Sequence, residues 1–208
     1  MELKILYWIN NNMHNNQIMN NIWGFFSRIS DSGLIWILFI LILLCFKSTR
    51  KLGGVLALSF AINTVAGFVI KNLIVRQRSF EEDSVFISFL NSISYPLPDS
   101  YSFPSGHTST AFVIFFTIYQ CDKKLSLPTF LLALIISFSR LFLCVHYPTD
   151  IIAGILLGGV VSILSVYTYN KFVSFYLKHY KNKTIVNNSL YCNYCGYYTK
   201  CKNYVKFR

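Results

Sequence analysis

The chain has 208 residues and a formal net charge of +11, with 54% hydrophobic but only 13% charged residues. Soluble domains carry about 25% charged residues, so this composition argues against an ordinary cytosolic enzyme and against a disordered chain. The length predicts one domain. Eight of the 19 basic residues follow Tyr169 without an acidic residue among them, and most others flank or lie within apolar segments. The charge therefore does not indicate a nucleic-acid partner.

The first 31 residues predict an amphipathic helix. Ile18, Ile22, Phe25 and Ile29 recur at helical spacing, with asparagines around them. A helix with one apolar face and a polar opposite face lies in the membrane interface rather than across the bilayer. We therefore expect an interfacial N-terminal segment over 1–31.

Apolar segments follow that are long enough, or nearly so, to cross a bilayer, which takes about 17–25 residues. They are 32–46, 52 to about 75, about 104–121, 125 to about 145, and 151–170. The predicted fold is an all-α integral membrane protein with about five transmembrane helices, a membrane-embedded domain over 32–170 and a basic tail over 171–208.

Basic residues between the predicted spans indicate the orientation. Clusters lie between spans one and two, between spans three and four, and in the tail; the first two are Lys47, Arg50 and Lys51, and Lys123 and Lys124. Cytoplasmic loops are enriched in lysine and arginine, so these three segments are predicted to be cytoplasmic. The N-terminus, 76–103 and 146–149 then face the extracytoplasmic side.

Two basic residues mark the end of the second span. Lys71 and Arg78 are seven residues apart, which on a helix is two turns, or about 10 Å along one face. A charge within a span costs about 2.5–3.5 kcal/mol on insertion scales and usually has a task or a partner. The alternative is that both side chains extend to the lipid headgroups.

The stretch from Ser102 to Thr108 predicts a helix start suited to an anion. Ser105 can cap the helix, Gly106 lets a ligand approach the backbone, and free N–H groups at a helix start bind phosphate. His107 then lies in the first turn beside the anion. The alternative is a simple turn entering a span, with an interfacial histidine.

A third group comprises Arg140, His146 and Asp150. Pro148 ends the fourth span and begins the fifth, which places Asp150 in a first helical turn. A carboxylate there can hold one imidazole nitrogen and leave the other free to attack. The alternative is an Arg140–Asp150 ion pair that makes insertion tolerable. All three groups lie at span ends on the predicted outer side.

The ordered set of motifs resembles the type 2 phosphatidic acid phosphatase family, which is related to vanadium haloperoxidases. The family pattern is lysine, six residues, arginine-proline; then Pro-Ser-Gly-His; then Ser-Arg, five residues, His, three residues, Asp. The chain matches it at Lys71 to Arg78, at 104–107 and from Ser139 to Asp150, except that Ser79 replaces the first proline. In appearance the chain is most similar to small bacterial undecaprenyl-diphosphatases.

The resemblance implies a role for each matched residue. His146 would attack phosphorus, Asp150 would orient it, and His107 would protonate the leaving oxygen. The phosphate would be held by the remaining matched residues, which are Lys71, Arg78, Ser105, Gly106 and Arg140. No metal or other cofactor is implied at this site.

The expected function is hydrolysis of a lipid phosphomonoester or diphosphate through a phosphohistidine. The candidate substrates are undecaprenyl diphosphate, ranked first, phosphatidate and phosphatidylglycerophosphate. A lipid phosphotransferase using the same site and a non-catalytic lipid-phosphate-binding protein remain alternatives. We expect a bacterial cell membrane location with an extracytoplasmic site, membrane lipids as surroundings and no obligate protein partner.

Two further segments carry open alternatives. Phe80, Phe86, Phe89, Leu90 and Tyr95 form either a partly interfacial lid or ordinary packing over the span ends. In the tail, a cysteine cluster resembles half of a zinc ribbon, although four-coordinate zinc needs a fourth ligand. The cluster comprises Cys192, Cys195 and Cys201, and the alternative is free cytosolic thiols or lipidation.

Overall fold

The computed structural model describes residues 1–180, and this part of the chain contains helices and no strand. The helices are α1 (Glu2–Met13), α2 (Gln17–Ile29), α3 (Leu34–Cys45), α4 (Arg50–Ile74), α5 (Ser79–Glu82), α6 (Ser84–Ser92), α7 (Gly106–Cys121), α8 (Ser126–Phe142) and α9 (Pro148–Tyr180). A short 3-10 turn, Asp31–Gly33, joins α2 to α3. The predicted all-helical fold class is confirmed.

Helices α3, α4, α7, α8 and α9 correspond in order to the five predicted spans, and α9 continues ten residues beyond the predicted end. By length and composition, two stretches within residues 1–180 can cross a membrane: Arg50–Glu82 and Pro148–Tyr176. The pair α2 and α3, bent by 52°, passes the same test together. The chain is an integral membrane protein, and the count of five spans stays a prediction.

Helix α7 lies at the centre of the fold and packs against α4, α8 and α9. Its contact with α9 is unusually close. A Cβ at Gly154 would lie 2.9 Å from the carbonyl oxygen of Ser105, and one at Gly158 would lie 2.8 Å from the backbone nitrogen of Val113. Only glycine permits this approach. The close packing holds the start of α7 directly against the start of α9.

The outer surfaces of α4 and α9 are apolar. Phe68, Leu73, Leu156 and Ile163 are each more than 60% exposed. Contiguous exposed apolar surface is typical of lipid-facing helices and rare on soluble monomers. Two polar side chains of α4, Ser59 and Asn63, are buried instead.

Residues 1–31 form two helices rather than the single predicted one. The break falls at Asn16, whose side chain accepts hydrogen bonds from the backbone N–H groups of Ile18 and Met19 and so caps α2. Helix α2 packs against α8 with Asn20 and Ser27 buried. Its apolar face is exposed, as the sequence pattern predicts; this face comprises Ile18, Ile22, Phe25 and Ile29.

The segment that follows Arg78 packs as part of the core. Phe86 and Leu90 of α6 are fully buried, and Tyr95 is 4% exposed. They contact α1 and the connection between α8 and α9 in one apolar cluster. The ring of His14 stacks on Phe89 with 3.4 Å between ring centroids. Of the two alternatives for this segment, a partly interfacial lid and ordinary packing over the span ends, the structure shows ordinary packing.

Candidate active site

His146 lies in the connection between α8 and α9, four residues before Asp150 in the first turn of α9. Nδ1 of His146 is 3.4 Å from Oδ2 of Asp150, and both side chains are almost completely buried. Pro148 begins α9 because its fixed φ suits a first helical position. Oδ2 of Asp150 also accepts a 2.9 Å hydrogen bond from the backbone N–H of Tyr147, which fixes the carboxylate at the helix start.

Asp150 has two further partners that the sequence analysis missed. Oδ1 lies 2.8 Å from Nη1 of Arg76, and Oδ2 accepts a hydrogen bond from the hydroxyl of Ser102. The guanidinium that reaches Asp150 is therefore that of Arg76, and not that of Arg140 as the ion-pair alternative supposed. Only their closeness in sequence to predicted site residues could have indicated these two partners. Arg76 lies two residues before Arg78, and Ser102 lies three before Ser105.

Arg76 is itself held by the N-terminal helix. Its Nη2 lies 2.7 Å from Oε2 of Glu2, and its guanidinium carbon lies 4.0 Å from the centroid of the Tyr147 ring. Oε1 of Glu2 accepts from the backbone N–H of Thr149 at 3.1 Å. Burial alone would raise the pKa of Glu2, but the hydrogen bonds from Thr149 and Arg76 outweigh it and lower the pKa below its ordinary value.

Lys71 lies in the last turn of α4, which ends at Ile74, so Arg78 is four residues beyond the helix and does not share a helix face with Lys71 as their spacing predicted. Both side chains nevertheless reach the site. Arg78 is 3% exposed. Its Nε donates to the carbonyl of Ser100 at 2.7 Å, and its Nη1 donates to the carbonyl of Val145 at 3.0 Å. The same Nη1 lies 3.4 Å from Nε2 of His146. Lys71 donates to the carbonyl of Tyr101.

Arg140 is buried at the end of α8, where α2 and the segment after α6 meet it. Its Nη1 donates to the hydroxyl of Tyr95 at 2.6 Å and to the hydroxyl of Ser27. The Tyr95 and Ser27 oxygens are 2.8 Å apart, so the three side chains form one network. Both hydroxyl partners are neutral, and the nearest carboxylate oxygen, Oδ1 of Asp31, lies 3.8 Å from Nη1. The guanidinium charge can therefore also act on a bound anion.

The start of α7 forms the capped helix terminus that the sequence predicts. The side chain of Ser105 accepts from the backbone N–H of Thr108 at 3.5 Å, and its own N–H donates to the carbonyl of Asp150 at 3.1 Å. The space beside Gly106 is open: a Cβ there would meet only Cε of Lys71, at 4.0 Å. An anion can therefore approach the free backbone N–H groups of this helix start.

His107 extends from the first turn of α7 toward the bend between α2 and α3. Its Nε2 lies 2.8 Å from Oδ1 of Asp31. Asp31 is not among the site residues predicted from the sequence.

These side chains surround a cavity of about 650 Å³. Six of the eight predicted site residues line it: Lys71, Arg78, Gly106, His107, Arg140 and His146. The other two, Ser105 and Asp150, are fully buried behind the lining. The remaining wall is partly apolar, and its apolar residues include Ile37, Phe60, Phe68 and Leu97.

The arrangement combines three cationic side chains, an open helix start and two imidazoles, each of which contacts a carboxylate. Such a site can bind a phosphate group, offer Nε2 of His146 as a nucleophile and transfer a proton through His107. Within residues 1–180, no three His, Cys, Asp or Glu side chains converge to hold a metal ion. The cysteines of the predicted zinc site, Cys192, Cys195 and Cys201, lie outside the described residues.

Comparison with known proteins identifies the family. The model of the PAP2 superfamily matches residues 48–174. An undecaprenyl-diphosphatase of Sulfolobus acidocaldarius is 37% identical over 158 residues, which are 73% of this chain and 72% of the relative. The undecaprenyl-diphosphatase BcrC of Bacillus subtilis is 26% identical over 164 residues, which are 79% of this chain and 82% of BcrC.

A solved structure shares the fold. The crystal structure of Aquifex aeolicus LpxE superposes with a TM-score of 0.62 at 23% identity, covering 80% of this chain and 94% of LpxE. The matched family region contains every predicted site residue, from Lys71 to Asp150. The chain therefore belongs to the PAP2 superfamily.

Proposed function

We propose that the chain is a membrane phosphatase that removes phosphate from a lipid headgroup through a phosphohistidine on His146, with undecaprenyl diphosphate as the first candidate substrate. The chain is a lipid phosphate hydrolase of the PAP2 family. The observation that carries the mechanism is the placement of the His146 ring. Nδ1 faces the Asp150 carboxylate, and Nε2 lies 3.4 Å from Arg78, a residue that lines the cavity.

In the first half-reaction, the lone pair on Nε2 of His146 attacks phosphorus. The bond between phosphorus and the leaving oxygen breaks, and His107 gives that oxygen a proton. Asp150 stabilises the positive charge that develops on the His146 ring. Lys71, Arg78 and Arg140 stabilise the charge on the phosphoryl oxygens in the transition state.

In the second half-reaction, water attacks the phosphohistidine. His107 takes a proton from that water, the phosphorus–nitrogen bond breaks, and its electron pair returns to Nε2. Inorganic phosphate leaves, and both imidazoles regain their starting states. Every group assigned to these steps belongs to the chain itself.

The partly apolar cavity supports a lipid substrate. Phe60 and Phe68 of α4 and Ile37 of α3 lie beside the cationic cluster, and Phe68 is 69% exposed toward the lipid-facing surface. A headgroup can therefore reach the cations while its hydrocarbon tail stays in the bilayer. The names of the Sulfolobus and Bacillus relatives favour undecaprenyl diphosphate over phosphatidate and phosphatidylglycerophosphate.

An extracytoplasmic site agrees with the charge distribution. The site is built at the α4–α7 and α8–α9 ends of the helices, whereas Lys47, Lys51, Lys123 and Lys124 lie at the turns of the opposite end. By the positive-inside rule, that opposite end faces the cytoplasm. We therefore place the site on the outer side of a bacterial cell membrane and the tail in the cytoplasm.

The test is phosphate release by purified protein in detergent with a chelator present. The three candidate lipids are compared for the wild type and His146→Ala, and the folding of both is checked by thermal unfolding. We expect turnover that persists in the chelator, favours undecaprenyl diphosphate and is lost in the variant. Wild-type rates in a folded His146→Ala protein would contradict the mechanism, and phosphate transfer that occurs only with an added alcohol acceptor would indicate a transferase.

A further inference from the structure

Asp31 and His107 form a second pair of carboxylate and imidazole, separate from the pair of Asp150 and His146. Oδ1 of Asp31 lies 2.8 Å from Nε2 of His107. The His107 side chain is 21% exposed and that of Asp31 is 37% exposed, so the pair lies at the edge of the cavity rather than deep within it. Both residues line the cavity.

The fold places Asp31 there through the bend between α2 and α3. The 3-10 turn Asp31–Gly33 interrupts the helical path, and Gly33 adopts a φ of +68°, which suits glycine. A Cβ at Gly33 would lie 3.0 Å from the Phe60 ring, so the turn is also packed closely against α4. Asp31 lies outside residues 48–174, the region that matches the family model.

Chemistry determines how the pair is protonated. An ionised carboxylate only accepts hydrogen bonds, so Nε2 of His107 carries the hydrogen that Asp31 accepts. The other ring nitrogen, Nδ1, forms no hydrogen bond within residues 1–180. It is therefore the nitrogen at which a proton can be gained or released during the reaction.

We propose that Asp31 is a positioning residue for the general acid: it holds Nε2–H of His107 so that Nδ1 faces the leaving oxygen. This inference rests on the proposed hydrolysis. The imidazolium gives its Nδ1 proton to the leaving oxygen as the phosphorus–oxygen bond breaks. The neutral ring stays protonated on Nε2 and bonded to Asp31. Nδ1 then takes a proton from the water that attacks the phosphohistidine, which restores the imidazolium.

The competing interpretation makes Asp31 a counter-ion of Arg140. The distance from Oδ1 of Asp31 to Nη1 of Arg140 is 3.8 Å, a full 1.0 Å longer than its distance to His107. Arg140 also has hydroxyl partners of its own in Tyr95 and Ser27. The geometry therefore favours an action through His107, and the two interpretations predict different kinetics.

A double-mutant cycle separates them. Steady-state rates on the preferred lipid are measured for the wild type, Asp31→Asn, His107→Asn and the double variant. We expect Asp31→Asn to lower kcat by roughly 10²-fold, at the lower end of what a positioned general acid contributes. In the His107→Asn background, the same change is expected to alter kcat by less than about twofold, because its effect passes through the imidazole.

Three results would overturn the inference. They are an unchanged kcat in Asp31→Asn, an unchanged kcat in His107→Asn, and multiplicative losses in the double variant. Asp122→Asn is the matched control, because Asp122 directly follows the last residue of α7, about 24 Å from the start of that helix. We expect this variant to behave as the wild type. Activity retained in His146→Ala would instead refute the proposed function, so the two failures are distinguishable.

Discussion

Arg76 and Asp150 form an ion pair in which Nη1 of the guanidinium lies 2.8 Å from Oδ1 of the carboxylate. The Asp150 side chain is completely buried, whereas 27% of the Arg76 side chain is exposed. A buried carboxylate without a partner costs several kcal/mol, so this guanidinium at the edge of the fold stabilises the charge of the carboxylate that contacts His146.

We predict that Arg76→Lys lowers kcat by about 10-fold, because the variant loses about the free energy of one hydrogen bond to a charged group. The planar guanidinium contacts Asp150 and Glu2 at once, and a single ammonium cannot reproduce both contacts. The measurement is the initial rate of phosphate release at saturating lipid. Arg50→Lys, an exposed change at the other end of α4, is the control and is expected to keep the wild-type rate.

The Glu2 contacts predict a pH-dependent stability. The folded protein lowers the pKa of Glu2 because hydrogen bonds from Thr149 and Arg76 overcome the effect of burial. The stabilisation is therefore complete above the ordinary carboxyl pKa and is lost as pH falls through the lowered pKa. We expect the wild type to unfold at a higher temperature than Glu2→Gln at pH 7.

That difference is expected to correspond to less than about 1 kcal/mol, because the Glu2–Arg76 pair is partly exposed. It is expected to shrink as pH falls below the ordinary carboxyl pKa and to disappear once the pH is below the lowered pKa of Glu2. Thermal unfolding of both proteins in the same detergent across this pH range provides the measurement. A gap that stays constant from pH 7 to about pH 3 would show that the carboxylate charge is not responsible.

Ser79 stands where the family pattern has proline, and the structure explains why this is tolerated. Ser79 is the first residue of α5, a position that suits proline, and its hydroxyl donates to the carbonyl of Cys144. We predict that Ser79→Pro keeps the backbone and the activity but loses about 1 kcal/mol of stability with that hydrogen bond. Ser79→Ala should lose a similar amount in thermal unfolding. A fully inactive, folded Ser79→Pro would contradict this account.

The hydroxyl of Tyr95 is predicted to support phosphate binding through Arg140. Tyr95→Phe keeps the ring but removes an acceptor that lies 2.6 Å from Nη1 of the buried guanidinium. We expect the inhibition constant of inorganic phosphate to rise roughly 10-fold, since a hydrogen bond to a charged group is lost. Tyr119→Phe, an exposed change near the far end of α7, should leave it unchanged. Equal inhibition constants in all three proteins would exclude this role for Tyr95.

The sequence pattern was sufficient to predict the positions of the site residues that lie on the central helices or directly beside them. Lys71 and Arg140 lie in the last turns of α4 and α8, so helical periodicity and the order of the spans bring them to one end of the bundle. Arg78 reaches the same end from the segment that follows α4. The carboxylate of Asp150 contacts His146 because Pro148 begins a helix between them and places Asp150 in its first turn. These contacts are local or depend on helix ends, which a sequence pattern can place.

The partners supplied by the N-terminal helices could not be predicted in this way. Asp31 lies 76 residues before His107, and Glu2 lies 74 residues before Arg76. No periodic sequence pattern indicates either contact, because each depends on how α1 and α2 pack against the bundle. The prediction of one interfacial helix over 1–31 also missed the break at Asn16, which allows α1 and α2 to pack separately.

The most direct measurement is a rapid-quench experiment with lipid substrate radiolabelled in the phosphate that is removed. The account predicts that label appears transiently on the wild-type protein in an acid-labile, base-stable form and maps to the peptide that contains His146. It also predicts that no label appears on folded His146→Gln. Turnover by the wild type without any covalent label, or label that persists in His146→Gln, would contradict nucleophilic attack by His146.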